Sequence, residues 1–170
     1  MPAMANAGSG NQGITATIPV CVVAQEFGCE EEILLRALAL SHLVALYAHS
    51  YLPVLSAFCA ADTAAMGSAA AICYLMGKSF DVACNSIINM AADAPGMVCD
   101  GAGCSCAMKV ATAVSSMYRS VNLAIQGIVV PDSNGIVSSD VEKTIQNVGR
   151  VGSEGMRGTD PLILEIMTEK

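Results

Sequence analysis

The sequence predicts an all-α, helical bundle-like domain, and three features point there. Of the 170 residues, 54% are hydrophobic and only 14% charged, enough apolar content for one sizeable core in a single domain. Trp is absent and aromatic residues make up 4%, so the apolar share rests on side chains such as Ala, Met and Cys. Small side chains let helices approach closely, and scarce aromatics argue against a β-sandwich. Helix start and stop signals then recur along the chain.

Residues 1–13, MPAMANAGSGNQG, are rich in Gly, Ala and Asn and read as a loop. A domain rarely opens on such a turn, so Met1 is expected to be an internal start with an upstream part lying outside this chain. Residues 14–27 are an apolar run ending at Gly28, open between a helix and a buried strand because periodicity does not separate the two. Glu30, Glu31 and Glu32 place negative charge where a helix N-terminus favours it, and that helix runs to about residue 50. Pro53 can open the next helix, since its missing N–H costs nothing in a first turn; that helix extends toward Met76, with Gly77 as its stop. Ser79 and Asp81 begin another, which reaches about residue 92 before Pro95 and Gly96 break it. After the loop MVCDGAGCSC, residues 107–127 are again helical, and PDSNG at 131–135 is a turn. Ser139 precedes a short amphipathic helix to Val148, and Thr159, Asp160 and Pro161 begin the last one.

Charge and cysteine content limit the function classes. A net charge of −7 with no basic stripe argues against nucleic-acid binding. No charged segment followed by a short apolar run stands at Met1, so no secretory signal is read. The eight cysteines are therefore expected in a reducing cytoplasm, as ligands, nucleophiles or core residues rather than as a disulfide framework. Residues 37–61 carry no Asp, Glu, Lys or Arg, a length that could cross a bilayer. His42, His49, Ser41, Ser50, Ser56 and Pro53 interrupt that stretch and no Lys/Arg cluster flanks it, so a buried bundle helix is expected and no membrane partner.

Two segments could carry chemistry. In AGSGNQGI, residues 7–14, small residues let backbone N–H groups approach an anion, and Asn11 and Gln12 add side-chain amides; an ordinary turn explains a glycine-rich string equally. In GMVCDGAGCSCAMK, residues 96–109, Cys99, Cys104 and Cys106 sit close together in Gly-containing backbone. Thiolates suit iron–sulfur clusters and zinc, yet neither spacing is that of a common zinc ribbon, and buried thiols acting as small hydrophobes stay an alternative. That alternative covers Cys21, Cys73 and Cys84, which lie among apolar residues.

An ordered series of strings adds a resemblance: GSGNQGI at 8–14, LSAFC at 55–59, YLMGK at 74–78, NMAADAPGMVCDGAGCSCAMK at 89–109, DVEKTIQNVGRVGSEGM at 140–156 and TDPLILEIM at 159–167. Together they resemble the C-terminal half of the L-cysteine desulfidase family, whose uncharacterised members are grouped as UPF0597 and which is related to the alpha chain of bacterial iron–sulfur L-serine dehydratase. The resemblance covers nearly all of the chain, so residues 1–170 are expected to be the C-terminal part of a serine dehydratase-like alpha domain. It implies a [4Fe-4S] cluster held by cysteines, with Cys59, Cys99 and Cys106 at matching positions. It also implies that Ser9, Gly10, Asn11, Gln12 and Gly13 hold the substrate carboxylate. Two departures stand out: Gly103 and an additional Cys104 follow CDGA where a basic residue is usual, and family members are far longer.

The implied reaction is β-elimination from L-cysteine or L-serine, giving pyruvate and ammonia with sulfide or water. The base is left open among His42, His49, Asp62 and Asp100. The two histidines, seven residues apart on one helix, share roughly one face, where a lone histidine is usually a satisfied core residue. The expected partner is a small amino acid; a homo-oligomer or a separately encoded N-terminal half is a further expectation. The rival readings are an inactive or partner-dependent truncated helical module and a structural zinc protein.

Overall fold

The computed structural model describes residues 3–170, and among these the regular structure is helical, with two isolated β-bridges. The α-helices are α1 (Gly10–Glu26), α2 (Glu31–His49), α3 (Ala60–Leu75), α4 (Phe80–Asp93), α5 (Ser105–Ile125), α6 (Val141–Arg150) and α7 (Thr159–Thr168). A π-helical turn, Val151–Gly155, extends α6.

Helix α3 is the centre. Every residue from 61 to 73 is buried, and α1, α2, α4 and α5 pack around it. Its run of Ala, Gly and Ser permits this, because small side chains on all sides let four neighbours come close. At Gly67 a Cβ would lie 2.2 Å from the Ser41 carbonyl oxygen, so only glycine allows α2 and α3 to meet there. Ser41 Oγ donates to the Ala16 carbonyl at 2.7 Å, fastening α2 to α1.

Shared clusters fix the helix directions. Ala16, Ala45 and Ala64 pack together, and so do Val20, Ala37 and Ala71. Numbers rise together along α1 and α3 and fall along α2, so α1 runs parallel to α3 and α2 antiparallel. Cys73 lies against Val82, while Asp62 bonds Met97, so α4 returns antiparallel to α3. Asp93 bonds Ser116 and Arg119, and Asn89 bonds the Ser120 carbonyl, which turns α5 back again. The first turns of α1, α3 and α5 and the last turns of α2 and α4 therefore gather at one pole.

The run 14–27, open between helix and strand, is helical, although Pro19 lies inside it. Proline cannot supply the N–H that would bond the Thr15 carbonyl. Ser68 Oγ of α3 donates to that carbonyl at 2.6 Å and fills the place.

Several expected boundaries move. Residues 10–13 are not loop but the first turn of α1, capped by Ser9, whose Oγ accepts from Gln12 N at 3.3 Å. Pro53 does not open a helix, and α3 starts only at Ala60. The segment before it is held extended by the Phe58–Val98 bridge, with the Phe58 ring seated against Gly96 and Gly152. Helix α5 starts at Ser105 rather than 107, so Cys106 belongs to its first turn. Asp140, not Ser139, caps α6, accepting from Glu142 N at 2.9 Å. The Gly77 stop is in place, at φ +63.

Helix α2 is long and apolar enough to cross a bilayer. One face of it lies along α1 and α3, while Leu35, Leu43 and Leu46 are exposed on the other. Helix α7 buries no residue and packs on none of the other helices.

Candidate functional site

The candidate site occupies the pole where three helices begin. Backbone N–H groups point out of a helix N-terminus, so each of α1, α3 and α5 presents the positive end of its dipole there.

Cys59 and Cys99 are placed by a short antiparallel pairing. Cys59 N donates to the Met97 carbonyl at 2.7 Å and Cys99 N to the Ala57 carbonyl at 2.7 Å, on either side of the Phe58–Val98 pair. Side chains alternate along extended backbone, so both thiols leave the face opposite Phe58 and Val98. They are diagonal neighbours, for which Cα atoms stand roughly 7–8 Å apart. Burial pushes the Cys59 thiol above its ordinary range; a hydrogen bond from the Ala61 backbone offsets part of this, and the charge of Lys109 a smaller part.

Lys109 ties this pair to α5. Its ammonium forms an ion pair with Asp100 and is itself largely sheltered, with 17% of its side chain exposed. Asp100 raises its affinity for the proton, and Cys99 and Cys59 do so further. Lys109 was not among the expected site residues. The available signal was its place three residues after Cys106, which on a helix shares the same face.

Cys106, the third expected ligand, lies in the first turn of α5. Its Sγ donates to the Gly101 carbonyl at 3.7 Å, a weak contact at a glycine with φ +97. Cys104 is exposed, and all eight cysteines are free. Among the described residues no three His, Cys, Asp or Glu side chains are grouped at metal-holding distance. The donor chemistry suits an iron–sulfur centre, and two of the three thiols expected to hold it leave the same face of one short pairing as diagonal neighbours. Seating the third requires Cys106 to leave the Gly101 carbonyl, and nothing else is bonded to its sulfur.

The glycine-rich segment leads into the first turn of α1 at the same pole. Asn6 and Ser9 exchange backbone bonds at 3.1 and 3.0 Å around a two-residue turn at Ala7 and Gly8. Both turn residues have positive φ, +46 and +89, and for Ala7 that is strained backbone. Gly10 is exposed, with open space where a Cβ would be, whereas a Cβ on Gly13 would strike the Met4 carbonyl at 1.7 Å. Gly13 thus has a packing role; Gly10 leaves its backbone approachable. Ser9 caps the helix, the Asn11 carbonyl accepts from Thr15 Oγ1 at 2.8 Å, and Gln12 is fully buried with neither amide atom hydrogen-bonded.

Two further buried groups at this pole are unpaired. Asp62, in the first turn of α3, accepts from Met97 N at 2.9 Å through Oδ2, while Oδ1 has no partner. Burial pushes its pKa up to about 7. His49, in the last turn of α2, is buried with neither ring nitrogen bonded, and burial lowers its pKa. Its counterpart His42 is a satisfied core residue, with Nδ1 at 2.8 Å from Asn6 Nδ2 and Nε2 at 3.0 Å from Thr17 Oγ1. Asp100, the remaining candidate base, is engaged by Lys109, which holds its carboxyl below the usual range.

Comparison with known proteins bears on this arrangement. The sequence model of the serine dehydratase alpha chain matches residues 1–165. The chain belongs to the serine dehydratase alpha chain family. Over its whole length it is 66% identical to a UPF0597 protein of Latilactobacillus sakei, covering 39% of that protein. It is 54% identical to a UPF0597 protein of Cutibacterium acnes, covering 48% of it, and 51% identical to the UPF0597 protein YhaM of Escherichia coli, covering 39%. The chain thus spans less than half the length of these relatives. No solved structure matches it.

Proposed function

We propose that this chain carries the cluster-binding part of an iron–sulfur amino-acid lyase acting on L-serine or L-cysteine. The observation that supports it most is the Cys59–Cys99 pair, held as diagonal neighbours at the pole where the first turn of α1 begins. Cys59, Cys99 and Cys106 would hold a [4Fe-4S] cluster. When bound, that group supplies a Lewis-acidic iron that stabilises the hydroxide or sulfide leaving the substrate.

The chain's own residues do the rest. Ser9, Gly10, Asn11, Gln12 and Gly13 take the substrate carboxylate, drawn by the positive ends of the gathered helices. The unbonded Gln12 amide supplies both a donor and an acceptor in a buried setting, where a hydrogen bond to a charged group is strong. Orienting a small substrate between fixed walls removes much of the entropic barrier to elimination. Lys109 adds a positive charge beside the thiols, and its pairing with Asp100 braces the loop that carries Cys99.

The reading extends to partner and compartment. The chain acts with a complementing segment like the part of its relatives that lies outside the match, supplied on the same or a separate polypeptide. The apolar groove between α1 and α5, lined by Ile14, Ile18, Val22, Val110, Val114 and Tyr118, supports this. So does the unpacked α7, with Leu162, Leu164 and Ile166 exposed. Eight free cysteines suit a reducing cytoplasm.

The test is anaerobic reconstitution with iron and sulfide, followed by assay for pyruvate from L-serine and for pyruvate and sulfide from L-cysteine. Visible cluster absorbance is the expected result, with turnover when the complementing segment is supplied. Absorbance without turnover favours the partner-dependent module, which the lack of a ready three-ligand group among the described residues also supports. A colourless, air-stable metal-bound sample means structural zinc, and no metal uptake overturns the cluster reading.

A further inference from the structure

Buried polar groups are almost always hydrogen-bonded, and each exception asks for a reason. Helix α2 carries the only two histidines of the chain, seven residues apart. His42 has both ring nitrogens engaged, by Asn6 and Thr17. His49 is 7% exposed and neither of its ring nitrogens makes a hydrogen bond, although the Val54 backbone lies near enough to offset part of the effect of burial. Packing alone does not require an imidazole there, since an apolar side chain would fill the space without leaving two polar atoms unpaired.

Its position follows from helix register. Ala45 packs with Ala16 of α1 and Ala64 of α3. His49 lies four residues further along α2 and so continues the same line. Because α1 and α3 both run antiparallel to α2, the next level brings Gln12, four residues before Ala16, and Ala60, four before Ala64. Gln12 is the other fully buried side chain with its amide unbonded, and Ala60 directly follows Cys59. Two unpaired polar groups from different helices thus share one level of the bundle, beside the segment proposed to take the substrate carboxylate.

We propose that His49 is the general base that takes the α-proton from an amino-acid substrate seated against the first turn of α1. This rests on the lyase reading and adds to it the residue that moves the proton. Burial lowers the affinity of His49 for a proton, so the neutral imidazole, with its lone pair free, is the form present at neutral pH. The proton leaves Cα for that nitrogen, and the electron pair of the broken C–H bond forms the Cα–Cβ double bond. The Cβ–O or Cβ–S bond breaks, and hydroxide or sulfide departs with its electron pair. The imidazolium returns its proton to the leaving group, so the net loss is water or hydrogen sulfide and the imidazole is regenerated. The aminoacrylate so formed tautomerises to an imine, which water hydrolyses to pyruvate and ammonia. Asp62 is a weaker choice for this step, since one of its carboxylate oxygens is committed to the Met97 amide.

The experiment uses the full chain, anaerobically reconstituted, with its histidines isotope-labelled. With two histidines present, the H49Q variant assigns the ring signals by subtraction. Titration with L-serine is expected to shift the His49 signals while those of His42 hold still. In steady-state assays H49A is expected to lower kcat on the order of 100-fold with KM little changed, as loss of a general base does. Added imidazole is expected to restore part of that loss, which it would not do for a purely structural defect; H49Q, closer in shape, guards against misfolding. L-serine binding that leaves the His49 signals unmoved overturns the proposal, and so does an H49A enzyme whose kcat stays within a few-fold. If the wild-type chain takes up no cluster and L-serine moves neither histidine, the lyase reading falls and this proposal falls with it.

Discussion

Two levels of the same three helices, one turn apart, are built on opposite terms. In the body of the bundle the polar groups are largely assigned: Ser68 fills the carbonyl freed by Pro19, Ser41 holds the Ala16 carbonyl, and His42 is bonded on both sides, with the Asn6 side-chain oxygen left over. At the pole, Gln12, His49 and one oxygen of Asp62 are buried and unpaired. The body spends its polar groups on stability, whereas the pole holds them ready for something the bundle itself does not contain. Proteins give up stability in this way at sites that bind and react.

That contrast predicts stability changes of opposite sign at the two levels. The largest concerns Asp62, whose pKa stands near 7 in the fold against an ordinary 3.8. Between those values the unfolded chain has lost the proton and the folded chain keeps it, so Asp62 makes stability fall as pH rises from about 4 to 7. The full effect is on the order of 4 kcal/mol, and D62N is expected to remove that fall in a series of melting curves against pH. In the body, Gly67→Ala forces a Cβ against the Ser41 carbonyl and is expected to cost about 3 kcal/mol in urea denaturation. Ser68→Ala leaves the Thr15 carbonyl without a partner in a buried setting, with an expected loss of about 2 kcal/mol. The smallest effect has the reverse sign: Gln12→Met removes two unpaired atoms and is expected to gain about 1 kcal/mol. The same variant is expected to lose the response to L-serine. A destabilised Gln12→Met protein would show that the pole is ordinary core.

Much of the fold was legible because it depends on local signals. The acidic run at residues 30–32 and the Ser79 cap, which accepts from Val82 N at 3.4 Å, start α2 and α4 close to where they were expected. What escaped depends on residues distant in sequence. Pro53 carries a helix-opening signal, but the Phe58 ring needs the gap between Gly96 and Gly152, and the bridge to Val98 keeps the chain extended until Ala60. Periodicity leaves residues 14–27 open between helix and strand, and the Ser68 hydroxyl, 53 residues further along the chain in its bond to Thr15, explains why the helix tolerates Pro19. At the site, GSGNQG and the cysteines were visible as strings, and the Cys59–Cys99 pairing lies where the strings allow. The difference between His42 and His49 was not visible, because it rests on Asn6 and Thr17 bonding one ring while the other has the Val54 backbone near it but no hydrogen bond.

The central claim is that Cys59 and Cys99 together hold an iron–sulfur centre. The direct measurement is iron and acid-labile sulfide per chain after anaerobic reconstitution, for the wild type and for C59S, C99S and C21S, the last altering a thiol on α1 outside the pair. The account predicts iron and sulfide retained in the wild type and C21S and lost in both C59S and C99S. Wild-type levels in C59S or C99S, or none in the wild type, would contradict it.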